Sequence, residues 1–169
     1  MSQIIGNEIK TPWGLMAALV DVTKEPVVIG AAFSTLSKFL AKSGQKIDVV
    51  EYKKDAKLAG VTDIVNQWIE GDLNAFKKLK VRQPGGDFMQ ACWKELRKVK
   101  GGTVVSYAQL AVNAGRPAAV RAAGSACAKT KIAVIIPCHR IIKSGGAIGA
   151  YGWGVNKKIW LLKHEGALD

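Results

Sequence analysis

The sequence predicts an α/β N-terminal domain over residues 1–83 and a mainly α C-terminal domain over residues 84–169. Strand-like runs dominate the first part, whereas helix-start signals dominate the second. Between them, the tripeptide Pro84-Gly85-Gly86 can continue neither a helix nor a strand. Residues 84–169 also hold 13 Lys and Arg against 4 Asp and Glu, while residues 1–83 hold 12 against 9. At 169 residues and 49% hydrophobic, the chain is long enough to bury a core.

The N-terminal domain begins with a predicted β-hairpin. Its strand-like runs cover residues 3–10 and 15–22, with the turn signal Thr-Pro-Trp-Gly between them. A third apolar run over residues 27–33 leads into a helix from residue 34 to about residue 43. Apolar residues at three- and four-residue spacing then predict a second helix; they are Val61, Ile64, Val65, Trp68 and Ile69. We therefore expect a small antiparallel sheet with helices.

Three helices are predicted after the boundary. Asp87 is expected to cap a helix that runs to Lys98, and Ser106 to cap a short helix over residues 107–113. A third helix is expected over residues 117–128, because proline suits a first helical turn. Two short helices joined by a glycine-containing turn in a basic region predict a helix-turn-helix.

The run Ile135-Ile136-Pro137-Cys138-His139-Arg140-Ile141 is the strongest chemical signal. A thiol reacts as its anion, and neighbouring cationic or imidazole groups lower the pKa of a cysteine. A small buried hydrophobe is the alternative for such a cysteine. The run therefore predicts a nucleophilic thiolate without excluding a structural cysteine.

The three cysteines, Cys92, Cys127 and Cys138, are odd in number and lack metal-ligand spacing. We expect reduced thiols, no metal and a cytoplasmic protein, since no signal peptide or membrane-spanning stretch is apparent. The basic C-terminal half favours a nucleic-acid partner, with a generically basic protein as the alternative. Membrane binding is not expected, because no basic amphipathic helix with an aromatic face is visible.

Several motifs around the cysteine resemble the O6-alkylguanine-DNA alkyltransferases, whose signature is a Pro-Cys-His-Arg box followed by a glycine-rich loop. The matching segments, in order, are Phe88-Met89-Gln90-Ala91-Cys92-Trp93, Val105-Ser106-Tyr107, Gly115-Arg116-Pro117, Arg121-Ala122-Ala123-Gly124, Gly149-Ala150-Tyr151-Gly152-Trp153-Gly154 and Leu161-Leu162-Lys163-His164-Glu165. The resemblance implies a ribonuclease-H-like N-terminal domain and a winged helix-turn-helix. It also implies DNA repair without a cofactor, by one irreversible alkyl transfer from O6-alkylguanine in duplex DNA to Cys138.

The resemblance assigns three catalytic residues. Cys138 is the nucleophile, a water links it to His139, and Glu165 orients the imidazole. Adjacent residues rarely point the same way, so Cys138 and His139 are not expected to touch. His164 is the alternative imidazole, but we expect it at the surface, and Arg140 is expected to brace the turn.

The resemblance also implies a pocket for a guanine rotated out of the duplex. Residues 145–154 contain five glycines and lack the Gly-Lys-Ser/Thr ending of a phosphate loop, so a flexible pocket rim is expected. The Gly152 N–H is expected near the guanine O6, and the Cys138 and Ile141 carbonyls near its exocyclic amine. The full set of expected substrate contacts is Tyr107, Ile141, Ala150, Tyr151, Gly152 and Trp153.

The third predicted helix has small side chains, which suit backbone approach and shape recognition better than reading of base edges. The resemblance places this helix in the minor groove, with Arg121 in the space of the extruded base; an exposed helix charge is the alternative. The other expected DNA contacts are Ser106, Arg116, Pro117, Ala119, Ala122, Ala123, Gly124 and Lys129. For Arg116 and Lys129, the alternative is a solvent-exposed position without a binding role.

One segment departs from the family. Thr130-Lys131-Ile132-Ala133 stands where Asn-Pro-x-Pro is usual, so Thr130 replaces a hinge asparagine with a single hydroxyl. The zinc ligands of some relatives are absent, because the first 91 residues contain neither Cys nor His. We expect a monomer that recognises DNA largely independently of sequence, and several molecules assembling along DNA are a further option.

Three other functions are alternatives to alkyl transfer. A cysteine hydrolase would need an oxyanion hole and a Cys-His pair in contact. A non-enzymatic lesion binder of this family has tryptophan in place of the cysteine, and a methyl-responsive activator would need a further sensor domain.

Overall fold

The computed structural model describes residues 3–42 and 52–169. Contacts divide the chain into two compact units. The first comprises Met1–Gln83 with Lys131–Ala133, and the second comprises Pro84–Thr130 with Val134–Asp169. Short segments near residue 130 therefore alternate between the two units.

The first unit is built on a five-stranded sheet in the order β4-β1-β2-β3-β5. The predicted hairpin lies within one residue of its expected position, and Thr11 pairs with Gly14 across a two-residue turn. The elements of this unit are β1 (Ile4–Thr11), β2 (Gly14–Asp21), β3 (Val27–Ala32), α1 (Leu36–Lys42), β4 (Tyr52–Lys54), α2 (Val61–Ile69) and β5 (Lys80–Val81). Helix α1 is shorter at its start than the predicted helix over residues 34–43, and residue 43 lies outside the described residues.

The prediction of an antiparallel sheet is correct only for the three central strands. Both edge strands are parallel to their neighbours: β4 pairs with β1, and β5 pairs with β3. Parallel pairing requires a crossover connection of a dozen or more residues, and long connections separate both pairs in sequence. The edge strands contain only three and two residues, too few to show a period of two.

The core of this unit packs on β2 and α2. Residues 16–20 of β2 are all buried, and the fully buried Trp68 of α2 contacts the rings of Trp13 and Phe76. The predicted apolar stripe on residues 61–69 therefore faces the core.

The second unit is mainly helical. Its elements are α3 (Asp87–Leu96), β6 (Val105–Ser106), α4 (Tyr107–Asn113), α5 (Val120–Ala128), β7 (Ile141–Ile142) and α6 (Val155–His164). Strands β6 and β7 pair in parallel. The Ser106 hydroxyl accepts a hydrogen bond from the Gln109 N–H, which confirms the predicted helix cap. No helix in the described ranges is long and apolar enough to span a bilayer.

Two helix boundaries differ from the predictions. Gly86, rather than Asp87, is the N-cap of α3, and this helix ends at Leu96. Helix α5 begins at Val120 instead of residue 117, because the Ala119 N–H closes a turn onto the Arg116 carbonyl. Pro117 therefore lies in the turn that precedes the helix.

The segment Lys131–Ala133 is held against β3 within the first unit. Ile132 forms a parallel bridge with Ala31, and the Gln83 side chain accepts a hydrogen bond from the Lys131 N–H. Val134 follows with φ 66°, in the left-handed region that β-branched residues rarely occupy. This backbone strain lies four residues before Cys138.

Candidate functional site

The predicted nucleophile lies on a short buried turn of the second unit. Cys138–Arg140 form one turn of 3-10 helix, which ends as the Ile141 N–H bonds back to the Cys138 carbonyl. Only 5% of Cys138 and none of His139 is exposed. The turn therefore removes a thiol, an imidazole and a guanidinium from bulk water, and each needs partners.

Glu165 supplies two of these partners. It lies directly after α6, and its carboxylate accepts hydrogen bonds from Arg140 Nε at 3.0 Å and from an Arg140 terminal nitrogen at 2.5 Å. Arg140 also donates to the Val99 carbonyl at 2.7 Å. Burial would raise the pKa of Glu165, but the hydrogen bonds from Arg140 and His139 lower this pKa to about 2. An ionised carboxylate thus fixes the end of α6 to the turn.

The same carboxylate determines which nitrogen of His139 carries the proton. His139 Nε2 lies 2.8 Å from Glu165 Oε1, and an ionised carboxylate can only accept, so Nε2 donates. Burial lowers the pKa of His139 despite the opposing effect of Glu165. The imidazole is therefore neutral near pH 7, and Nδ1 retains a free lone pair. Nδ1 is buried without a hydrogen-bond partner among the described residues.

Three side chains stabilise the sulfur of Cys138 as an anion. The Cys127 thiol hydrogen bonds to this sulfur, and Thr130 Oγ1 lies 2.9 Å from Sγ. The Cys127 hydrogen bond, the Thr130 hydroxyl and the nearby amine of Lys158 lower the pKa of Cys138, although its burial acts in the opposite direction. Cys138 therefore ionises more easily than an ordinary cysteine.

Lys158 was not identified from the sequence. It lies on α6, is fully buried, and donates from Nζ to the carbonyls of Ile141 at 2.5 Å and Ala150 at 3.3 Å. Its position three and four residues before Leu161 and Leu162 places it on the buried stripe of α6, a signal that the sequence does contain. Lys158 thus connects the turn to the glycine-rich loop.

Cys138 lines a cavity of about 210 Å³. Its lining residues are Tyr107, Gly124, Cys127, Ala128, Cys138, Ala150, Tyr151, Gly152 and Trp153. Five of the six predicted substrate contacts line this cavity, whereas Ile141 is fully buried and does not. The role predicted for Ile141 concerns its carbonyl, which already accepts one hydrogen bond from Lys158.

Two tyrosines of the cavity wall are held in their neutral form. Burial, followed by the charges of Cys127 and Cys138, raises the pKa of Tyr107, and burial raises the pKa of Tyr151. The Tyr151 ring packs edge-on to Trp153 at 5.3 Å between centroids. Both hydroxyls can therefore donate a hydrogen bond near pH 7.

The predicted DNA contacts are divided between two faces of α5. Arg121 and Ala122 are exposed, as are Pro117 before the helix and Lys129 after it. Ala123 is completely buried, so the prediction that this residue contacts DNA is wrong; with Ala126 it forms the core face of the helix. Gly124 lines the cavity instead of the outer surface.

The remaining predicted residues lie at the edges of this region. Ala119 is half-buried, and the Ser106 hydroxyl caps α4. The guanidinium of Arg116 lies over the Phe88 ring, 5.4 Å from its centroid, while the residue remains exposed. His164, which was expected at the surface, is half-buried and stacks on the Trp160 ring, 5.4 Å between centroids.

A larger and more open depression, of about 570 Å³, lies on the first unit. Four of its charged side chains form ion pairs, Lys80 with Glu25 and Arg82 with Asp21. It contains no cysteine or histidine. The smaller cavity, beside Cys138, is therefore the candidate functional site.

Residues 87–167 match the family model described as the DNA-binding domain of 6-O-methylguanine DNA methyltransferase. A methylated-DNA--protein-cysteine methyltransferase of Shigella flexneri is 39% identical over 109 residues, which are 64% of this chain and 64% of that protein. The chain thus spans less than two thirds of the length of this curated relative.

Two solved structures are similar over nearly the whole chain. The O6-methylguanine methyltransferase of Mycobacterium tuberculosis superposes with a TM-score of 0.75 at 26% identity, covering 99% of this chain and 95% of that one. The Mycobacterium tuberculosis OGT in complex with DNA gives a TM-score of 0.78 at 29% identity, covering 96% and 92%.

The Glu165→Gln substitution should lower stability and flatten its dependence on acidic pH. The pKa of Glu165 falls from 4.5 to about 2 on folding, so its contribution is complete above pH 4.5 and is lost as pH falls through 2. This shift corresponds to roughly 3 kcal/mol, and the variant also leaves Arg140 without a charged partner. Urea unfolding between pH 2 and pH 7 measures the effect. Glu95→Gln, which removes only the surface ion pair with Lys98, is the control and should retain the wild-type profile.

The Thr130→Val substitution should reduce the reactivity of Cys138 near neutral pH. Valine has a similar shape but no hydroxyl, so the pKa of Cys138 should rise and iodoacetamide should alkylate it roughly tenfold more slowly. At high pH, where Cys138 is ionised in both the wild type and the variant, the two alkylation rates should converge. Thr130→Ser retains the hydroxyl and should remain close to wild type. Equal rates for the valine variant and the wild type across the pH range would exclude a role for this hydroxyl.

Proposed function

We propose that the chain belongs to the O6-alkylguanine-DNA alkyltransferase family and repairs DNA by direct reversal of O6-alkylguanine. Cys138 accepts the alkyl group once per molecule. The observation that carries this proposal is a buried cysteine with a lowered pKa at the wall of a cavity lined by tyrosines and a glycine-rich loop. No cofactor takes part, because the thiolate is itself the acceptor.

The proposed reaction is a single displacement. The Cys138 thiolate attacks the alkyl carbon, the new S–C bond forms, and the C–O6 bond breaks with its electron pair remaining on guanine. His139 Nδ1 takes the thiol proton through a bridging water. This step is consistent with a neutral imidazole whose Nε2 donates to Glu165.

The guanine that leaves as an anion then takes up a proton. We assign Tyr107 as a donor that stabilises this anion, since its raised pKa keeps the hydroxyl protonated. The Gly152 N–H is assigned to O6, and the second lone pair of the Ile141 carbonyl to the exocyclic amine. The resulting thioether has no leaving group, so the protein is consumed in the reaction.

The cavity accepts a base only if the nucleotide leaves the stack, at a cost of a few kcal/mol. In this proposal α4 and α5 form the helix-turn-helix of a winged domain, α5 enters the minor groove, and Arg121 fills the space of the extruded base. Gly124 and Ala128 of the cavity wall follow Arg121 by three and seven residues, so Arg121 lies beside the cavity face of α5. Arg121 therefore lies ~5–10 Å along the helix from two residues of the cavity wall.

The surrounding residues have supporting roles. Arg116 and Lys129 are assigned to phosphates, and Ser106, Pro117, Ala119 and Ala122 to close backbone approach. The first unit is assigned as a ribonuclease-H-like structural domain. We place the protein in the cytoplasm as a monomer, consistent with three free thiols, with assembly of several molecules along DNA as an extension.

Incubation with duplex DNA that contains one O6-methylguanine should add one methyl group to each protein molecule. Peptide mapping should locate this group on Cys138, and Cys138→Ala should gain nothing. Cys92→Ala is the control, because Cys92 is buried outside the cavity, and this variant should still gain one methyl group. An unchanged mass despite tight binding to the lesion would identify a recognition protein instead.

The Arg121→Ala substitution should slow methyl transfer at saturating duplex DNA by roughly 10- to 100-fold, since extrusion of the base loses its replacement. Transfer from the free O6-methylguanine base should be unaffected, because no extrusion is needed. Arg116→Ala should weaken DNA binding and its salt dependence while leaving the saturated rate near wild type. Single-turnover kinetics distinguish the two effects; a change in affinity alone for Arg121→Ala would contradict its assigned role.

A further inference from the structure

A second thiol lies beside the acceptor. Cys127, in the last turn of α5, lines the same cavity as Cys138 and hydrogen bonds to its sulfur. Both thiols are free, and Cys127 is partly exposed whereas Cys138 is buried. Two adjacent thiols that share one opening can react with each other once either is oxidised.

We propose that Cys127 is the resolving thiol of a reversible disulfide with Cys138, which forms when a peroxide enters the cavity. In the first step the Cys138 thiolate attacks a peroxide oxygen, the O–O bond breaks, and Cys138 becomes a sulfenic acid while the peroxide is reduced. In the second step the Cys127 sulfur attacks the sulfenic sulfur, the S–O bond breaks, and water leaves with the Cys127 proton. With hydrogen peroxide, two thiols are oxidised and two waters are formed.

The environments of the two cysteines determine the order of these steps. Cys138 reacts first because Cys127, Thr130 and Lys158 lower the pKa of its thiol. The hydrogen bond to Cys138 is the largest cause that raises the pKa of Cys127, followed by burial and by the charge of Cys138. Oxidation of Cys138 to a sulfenic acid removes that charge and weakens that hydrogen bond. Cys127 then becomes more easily ionised at the stage where it has to act as the nucleophile.

Cys92 does not fit the resolving role. It is completely buried on α3, is not part of the cavity lining, and has a pKa raised by burial alone. Its thiol therefore provides a matched control for Cys127.

Hydrogen peroxide treatment of the reduced full-length chain, followed by intact mass and non-reducing peptide mapping, tests the proposal. The wild type should lose the mass of two hydrogen atoms, yield a linked Cys127–Cys138 peptide, and return to its starting mass with dithiothreitol. Cys92→Ala should behave in the same way. Cys127→Ser should instead add oxygen to Cys138, ending in a sulfinic acid that dithiothreitol does not reverse.

Four results would overturn the proposal: oxygen added to Cys138 of the wild type without a link, a link that involves Cys92, a covalent dimer, or no change in mass. The consequence for repair rests on the proposed function and is measured separately. The oxidised wild type should gain no methyl group from O6-methylguanine DNA, and reduction should restore the full gain. If alkyl transfer is the incorrect assignment, neither state gains a methyl group although the disulfide still forms, so the two failures can be distinguished.

Discussion

The functional part of this molecule depends on the buried carboxylate of Glu165. Burying a charge costs several kcal/mol unless it is paired, and removal of one partner leaves the other uncompensated. Here the carboxylate receives two hydrogen bonds from Arg140 and one from His139, all within the buried turn. The end of α6 and the cysteine turn are therefore fixed together, and the same contact sets the tautomer of His139. Structural support and proton-acceptor geometry come from one interaction.

The sulfur of Cys138 is also buried, but no cationic side chain of the described residues pairs with it as Arg140 pairs with Glu165. Its burial opposes ionisation, yet in the proposed reaction only the thiolate attacks the alkyl carbon. Three neighbours lower the pKa of Cys138 despite this burial. Cys127 belongs to α5, Thr130 follows the end of α5, and Lys158 belongs to α6. The hydroxyl of Thr130 thus contacts the nucleophile directly, which is more than the hinge role expected for this departure from the family pattern. The strained backbone at Val134 lies between Thr130 and Cys138, and the packing of this fully buried residue holds it in place.

Local patterns predicted much of this architecture from the sequence. The hairpin, α2 and the Ser106 cap follow from periodicity and turn chemistry, whereas the cavity residues of the glycine-rich loop follow from the family resemblance. The parallel edge strands did not, since two or three residues carry no periodic signal. Lys158 was missed because charged residues are normally read as exposed, and its burial depends on two carbonyls that are distant in sequence. Ala123 was assigned to the wrong face because α5 is lined with small residues on every side, so composition gives no amphipathic direction.

The small side chains of α5 satisfy two requirements at once. Its outer face is suited to backbone approach by DNA, while Gly124, Cys127 and Ala128 form one wall of the cavity. Larger residues on this second face would fill a cavity of only about 210 Å³. One short helix therefore connects the surface assigned to DNA with the space that holds the acceptor. In the proposed function, the position of the helix on DNA also decides whether an extruded base reaches the thiolate, because both faces belong to one rigid element.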